Sequence, residues 1–119
     1  MKVYCVHSRA FDFRNAYYKP LAQLAKATGH TFIFPHEQED AVQNSQDIIR
    51  SCDLVVAEVS FPSIGMGIEI GWAHAYGKPI VAIFRQNANL SSSLHIITND
   101  IHSYADPEEI ASIVAPFLE

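Results

Sequence analysis

Positive charge is scarce in this chain: eight Lys and Arg stand against thirteen Asp and Glu, a formal net charge of −5. A nucleic-acid-binding face needs a basic patch or stripe to neutralise phosphates, and no block of basic residues is present. The balance excludes nucleic acid as a partner but not a small anionic ligand, for which a few local donors suffice. Cysteine is scarce too. Cys5 and Cys52 are isolated thiols, so neither a disulfide framework nor a zinc cluster is expected, and no metal or cofactor is called for. No apolar run approaches the roughly 18 residues of a membrane-spanning helix. The opening Met-Lys-Val-Tyr-Cys-Val-His lacks the apolar region and cleavage site of a secretory signal, so the expectation is a cytoplasmic protein without a membrane partner. What is present is 119 residues, 49% of them hydrophobic, enough for the core of one domain over 1–119, since single domains run to about 100–150 residues. Internal repeats and low-complexity linkers are absent.

Short apolar runs that do not alternate recur along the chain, as strands covered on both faces require. They are Val3-Tyr4-Cys5-Val6, Thr31-Phe32-Ile33-Phe34, Leu54-Val55-Val56-Ala57 and Pro79-Ile80-Val81-Ala82-Ile83-Phe84. Helical segments lie between them. One runs from about Asp12 to Ala27 on the face Phe13, Tyr17, Leu21, Leu24 and Ala25, closed by Gly29; Pro20 either opens a helix starting near Lys19 or kinks a longer one. Others run from about Val42 to Ser51 and from about Gly67 to Tyr76, the latter closed by Gly77-Lys78-Pro79. The last is marked by Asp106 as N-cap, Pro107 at the first position and Glu108 and Glu109 in the first turn. The stretch from Gln86 to His102 is polar and irregular, with a short strand near Ile96 or Ile101. This order predicts an α/β domain with a mainly parallel, five-stranded sheet and right-handed crossovers: a flavodoxin-like, or Rossmann-like, three-layer sandwich. In such sheets ligands bind beyond the carboxyl ends of the strands, near the point where strand order reverses.

The loop after the third run reads Glu58-Val59-Ser60-Phe61-Pro62-Ser63-Ile64-Gly65-Met66-Gly67-Ile68-Glu69. Gly65 and Gly67 either let backbone N–H groups approach an anion at the start of a helix or simply turn the chain. Glu69, placed in the first turn of that helix, is either a solvated acid or an ionised carboxylate on the floor of a cleft, suited to attack an electron-poor carbon. Glu58, at the carboxyl end of its strand, is expected to face the cleft and bind the hydroxyls of a sugar-sized ligand. Asp53, at the opposite end, reads as structural.

The stretch from Asp53 to Gly71, followed by Gly77 to Arg85, resembles the signature of the nucleoside 2-deoxyribosyltransferase superfamily, within it the 2′-deoxynucleoside 5′-phosphate N-hydrolases. The resemblance implies a flavodoxin-like fold and cleavage of an N-glycosidic bond in a nucleotide or nucleoside. The glutamate of the Gly-x-Gly-x-Glu pattern falls on Glu69, the nucleophile that forms a glycosyl-enzyme ester with C1′. Water resolves the ester in the hydrolases and a second base does so in the transferases. Ser63, Gly65 and Gly67 take the places that bind the 5′-phosphate. Tyr4 matches the active-site tyrosine and is expected to orient Glu69; Ser8 matches a phosphate-binding serine. By family spacing, Ser93 or its neighbour Ser92 reaches across a homodimer interface, in a dimer or higher oligomer with shared sites. A non-catalytic nucleotide-binding module on the same fold is the alternative outside enzymes.

Two departures stand out. The acid that handles the departing base is expected eight positions before Asp53, where this chain has Ser45; Asp47, two residues on, is its candidate substitute. The first loop reads His7-Ser8-Arg9 where relatives carry Gly-Ser-x-Arg, so either phosphate recognition is weakened or Arg9 reaches the same anion by another route. Elsewhere, His7 either touches ligand or is a hydrogen-bonded loop histidine. His95 and His102 lack the spacing of a metal site. Trp72 reads as core or interface packing, Cys5 and Cys52 as buried thiols, and Glu37, Glu39 and Asp40 as a solvated turn.

Overall fold

A computed structural model describes residues 1–37 and 44–119. Five strands, β1 (Lys2–His7), β2 (Thr31–Ile33), β3 (Leu54–Glu58), β4 (Ile80–Arg85) and β5 (Ile101–Tyr104), form one sheet in the order β2-β1-β3-β4-β5. Every pairing is parallel, so the sheet is wholly, not mainly, parallel. This is the flavodoxin-like order, with its reversal between β1 and β3.

Because side chains alternate across a strand, each strand feeds two cores. Val3 and Cys5, Leu54 and Val56, and Val81 and Ile83 face one layer with Tyr17, Leu21, Leu24, Ile110 and Val114. Tyr4 and Val6, Val55 and Ala57, and Ile80 and Ala82 face the other, with Ile49, Met66, Ile70, Ala73 and Leu94. The first layer is built from α1 (Lys19–Thr28) and α5 (Glu109–Val114), the second from α2 (Gln46–Ser51), α3 (Ile64–Ala75) and α4 (Leu94–Ile97). Each thiol is buried and free, and burial raises both above their usual range.

α1 starts at Lys19, as the first reading of Pro20 expects. The proline ring sits in the first turn of α1, and a π-helical turn over Arg14–Tyr18 leads in from the loop. Gly29 ends α1 in the left-handed region (φ 78°), its N–H donating to the Ala25 carbonyl at 2.9 Å. Gly77 does the same for α3 at φ 69°, with the Lys78 N–H returning to Ala73 at 2.9 Å.

Other boundaries move. The strand near Ile96 or Ile101 is at Ile101, and Ile96 lies in α4. Regular helix begins at Glu109, after a tighter turn in which the Glu109 N–H donates to the Asp106 carbonyl. The carboxylate of Glu109 then folds back to accept from the N–H groups of Ala105 and Asp106, so the N-terminal capping comes from Glu109, not from Asp106. The expected start of the second helix at Val42 lies outside the described residues, as do Glu39 and Asp40. Most consequential, α3 starts at Ile64, three residues before the expected Gly67.

Candidate active site

The earlier start of α3 changes the roles of its residues. Ser63 is the N-cap, its Oγ accepting from the Met66 N–H at 3.3 Å, and the Gly67 N–H donates to the Ser63 carbonyl at 3.1 Å. The N–H groups of Ile64 and Gly65 precede any intrahelical acceptor and form the electropositive end of a twelve-residue helix. Neither Gly65 nor Gly67 has a positive φ, so they do not turn the chain. A Cβ on either would meet nothing within 4 Å; what the missing side chains leave is open space over the helix end. Glu69 belongs to the second turn, not the first, and the helix end favours its charge correspondingly less.

A cavity of about 470 Å³, within the ordinary size range of small-molecule sites, opens beside this helix end. Ser63, Gly65, Met66, Ile68, Glu69 and Trp72 of α3 and its cap line one side; His7, Ser8, Arg9 and Ala10 after β1, His36 after β2, and Ser45 before α2 complete it. The loops after β1 and β3 begin side by side, since His7 pairs with Glu58 at the carboxyl ends of their strands. The cavity therefore sits at the β1/β3 reversal.

Glu69 is half-buried on its floor. Tyr4, wholly buried on β1, donates its phenol hydrogen to Glu69 Oε2 at 2.6 Å, and the Ser45 hydroxyl donates to the same oxygen. Ser45 occupies the N-cap position of α2 yet makes no capping bond; its hydroxyl serves Glu69 instead. Both bonds converge on Oε2, and Oε1 carries none among the described residues. Burial, then the negative charge of Glu69, then the bond to it hold the Tyr4 phenol far above its usual range, so it stays protonated and donates.

His7 is buried at the cavity edge with both ring nitrogens committed. Its Nδ1 lies 2.8 Å from the Ser8 carbonyl, which can only accept, so Nδ1 carries the hydrogen. Nε2 then accepts from the Tyr18 hydroxyl at 2.6 Å, and that hydroxyl accepts from the His36 N–H at 2.9 Å. Stacking on Phe13 at 4.4 Å completes the pocket. Desolvation lowers the His7 pKa from 6.5 to about 4, so the ring is neutral near neutrality. The hydrogen-bonded reading of His7 is the one the geometry bears out, although its edge also lines the cavity.

Of the other expected site residues, Ser8 is buried with its Oγ accepting from the Ala10 N–H at 3.1 Å, and Arg9 is exposed at the rim. Gly67 lies one turn along α3, outside the lining. Ser93, exposed before α4, is likewise away from its own chain's cavity.

Two expectations are corrected. Glu58 does not face the cleft. It is 0% exposed, on the strand face shared with Leu54 and Val56, toward α1 and α5. Its Oε1 accepts from the Ser60 N–H at 2.6 Å and its Oε2 from the Ser60 hydroxyl at 3.0 Å and from the Tyr104 hydroxyl. Asp47 does not replace the missing acid. Its side chain is 91% exposed and pairs with Arg50 at 3.4 Å, and it is not among the residues that line the cavity. Ser45, the residue at the departure itself, is the one that reaches Glu69.

Trp72 lines the cavity as well as packing on the core. His36 is a lining residue that no sequence pattern marks: a lone histidine after the shortest strand. Asp53 is structural, its Oδ2 accepting from the Lys2 N–H at 2.7 Å.

Sheet order and cleft position together define the class, a flavodoxin-like α/β protein whose cleft lies at the β1/β3 switch point. The model of the nucleoside 2-deoxyribosyltransferase family matches residues 9–106, and the chain belongs to that family. A 5-hydroxymethyl-dUMP N-hydrolase of Rattus norvegicus is 45% identical over 67 residues, 56% of this chain and 36% of the relative. The matched segments span about a third or less of the first curated relatives' own length. Among solved structures, the CMP N-glycosidase of Clostridium botulinum superposes with a TM-score of 0.66 at 25% identity, covering 99% of this chain and 100% of that one. A 2-deoxyribosyltransferase from Leishmania mexicana does so with a TM-score of 0.56 at 25% identity, covering 70% and 63%.

Proposed function

We propose that the chain is an N-glycosidase that hydrolyses a nucleoside or deoxynucleoside 5′-monophosphate to free base and (deoxy)ribose 5-phosphate. The observation that carries this reading is the asymmetric tethering of Glu69, a cavity-lining residue: Oε2 is held by Tyr4 and Ser45, while Oε1 has no bond among the described residues. A carboxylate so fixed presents one oxygen to C1′. The Oε1–C1′ bond forms as the C1′–N bond breaks and the electron pair leaves with the base; water then attacks C1′, the C1′–Oε1 bond breaks with its electron pair returning to Glu69, and the proton the water loses to solvent balances the one the base takes up. The N–H groups at the start of α3, with Ser8, Arg9, Ser63 and Gly65, provide donors for the phosphate, and Gly67 keeps the next turn clear of side chain. The relatives named as an N-hydrolase and a CMP N-glycosidase support the reaction class.

The assembly belongs to the same reading. The exposed large aliphatic residues Ile48, Ile64, Ile68 and Ile96 all lie on the layer of α2, α3 and α4, the layer that also carries the cavity. A second copy packed there would cover them and bring its own Ser93 toward the phosphate.

Incubating the protein and Glu69→Ala with a panel of ribo- and deoxyribonucleotides and nucleosides, with chromatographic separation of products, tests the proposal. Release of base by the protein and at least a thousandfold less by the variant is expected; equal rates on every substrate refute it. Base exchange is the second reading, favoured by the family and by the Leishmania neighbour, and is detected by a new nucleoside when a second base is added. Nucleotide binding without turnover while Glu69 is intact would identify a binding module.

A further inference from the structure

Glu58, a fully buried carboxylate that the proposed reaction does not use, begins a chain of contacts that ends on both loops facing the phosphate. Its two oxygens grip the N–H and hydroxyl of Ser60. Ser60 Oγ in turn accepts from the backbone N–H of Arg85 at the end of β4, at 2.8 Å. The next residue, Phe61, stacks on Phe11 with ring centroids 5.3 Å apart and planes at 25°. The Arg85 guanidinium lies 5.2 Å from each of the two ring centroids. Phe11 closes the loop that carries Ser8 and Arg9; Phe61 stands two residues before Ser63.

The geometry points to Phe11, Phe61 and Arg85 as an aromatic and cationic clamp that fixes the separation of the two phosphate-facing loops, making them positioning residues for the sugar-phosphate end of the substrate. The loops belong to neighbouring strands and carry donors that must converge on one anion. A misplacement of about 1 Å is enough to lose most of the benefit of convergent donors. The anchor beneath Phe61 is rigid because the N–H and the hydroxyl of Ser60 are both bonded internally. Phe11 is held within its own loop, its carbonyl accepting from the Phe13 N–H at 2.8 Å; among the described residues its ring stack on Phe61 is the contact that ties this loop to the other. Arg85 suits the role through its planar group, which lies on aromatic faces as a lysine does not.

This inference rests on the phosphate-holding part of the proposed function. Calorimetric titration of ribose 5-phosphate and of inorganic phosphate into the full chain, Phe61→Leu and Phe61→Tyr tests it. The expected result is binding of ribose 5-phosphate by the protein, about tenfold weaker binding by Phe61→Leu, and binding within about twofold of the parent by Phe61→Tyr, which keeps the ring. Inorganic phosphate follows the same order. A variant that merely folds less completely lowers the number of sites and leaves the dissociation constant unchanged. An unchanged constant in Phe61→Leu, or equal losses in Phe61→Leu and Phe61→Tyr, overturns the clamp alone. Failure of the parent protein to bind ribose 5-phosphate overturns the clamp together with the phosphate-holding reading.

Discussion

Tyr4 and Glu69 are joined by a 2.6 Å hydrogen bond between a strand and a helix on the same side of the sheet. The phenol is the donor throughout the accessible pH range, because burial and the adjacent carboxylate both oppose its ionisation. Tyr4→Phe keeps the ring in its core site and removes only the hydroxyl. Expected is a fall in kcat of roughly ten- to a hundredfold with little change in KM, since the lost interaction orients the nucleophile and not the ground-state ligand. Steady-state kinetics on the best nucleotide of the panel check it; a change confined to KM contradicts the role given to Tyr4.

Ser45 and Asp47 separate cleanly in position, and their substitutions should separate in effect. Asp47→Asn breaks an exposed surface pair with Arg50, which solvent screening leaves with little effect on stability. It should leave turnover within about twofold and thermal stability nearly unchanged. Ser45→Ala removes the second donor to Glu69 Oε2 and should lower kcat by about tenfold, less than Tyr4→Phe because Tyr4 remains. A larger loss in Asp47→Asn than in Ser45→Ala would reverse this assignment.

The contrast between Ser45 and Asp47 shows where the sequence was legible. Strands announced themselves because residues buried on both faces make unbroken apolar runs, and all five are where such runs or the Ile101 position indicated. Glu69, Ser63 and Gly65 came from one continuous motif, and Tyr4 and Ser8 from the looser resemblance of the first strand; the fold brings Ser8, Ser63, Gly65 and Glu69 to one cleft, with Tyr4 bonded to Glu69. Glu58 was misplaced because its position at a strand end was read without strand parity. It shares the strand face of Leu54 and Val56 and so faces the layer opposite Tyr4. Asp47 was misplaced because a carboxylate was sought by residue type, whereas the direction of α2 decides which side chain points inward. His36 and the clamp of Phe11, Phe61 and Arg85 depend on contacts among three loops, and no local pattern encodes them.

His7 gives the stability of the fold a specific pH dependence. Its folded pKa is lowered to about 4 from 6.5, so the unfolded chain takes up a proton across this window that the native state refuses. Its contribution is fully present above pH 6.5 and is lost as the pH falls to about 4; the full displacement corresponds to about 3 kcal/mol. Urea denaturation at several pH values should show stability rising with pH across this window. His7→Gln should flatten that part of the profile whatever its effect at neutral pH. An identical slope in the variant would place the acid sensitivity elsewhere.

The exposed isoleucines make assembly testable apart from chemistry. Ile64 and Ile96 are 85% and 79% exposed, and a charge at either is nearly costless in a monomer. In a symmetric dimer each substitution acts twice. Ile64→Glu or Ile96→Glu should therefore raise the dimer dissociation constant by about tenfold or more in sedimentation experiments. Glu69→Ala and Ser93→Ala, each inactive alone, should regain about a quarter of the parent activity after subunit exchange, because half the dimers are mixed and each holds one intact site. Failure to recover activity after demonstrated exchange would argue against a shared site.

Gly65 separates what the fold needs from what the ligand needs. It lies in the first turn of α3 without a positive φ, and an added Cβ meets no other part of the described residues within 4 Å beyond its own helix. The fold therefore has no use for glycine there, and Gly65→Ala should leave stability unchanged or raise it by about 0.5 kcal/mol, as alanine restricts the unfolded chain. The methyl group would occupy the cavity beside the free N–H groups of the helix end, where the phosphate is proposed to sit. Affinity for ribose 5-phosphate should fall by about tenfold or more while the melting temperature holds or rises. A variant that is more stable and binds as well as the parent would mean that the anion lies elsewhere in the cleft.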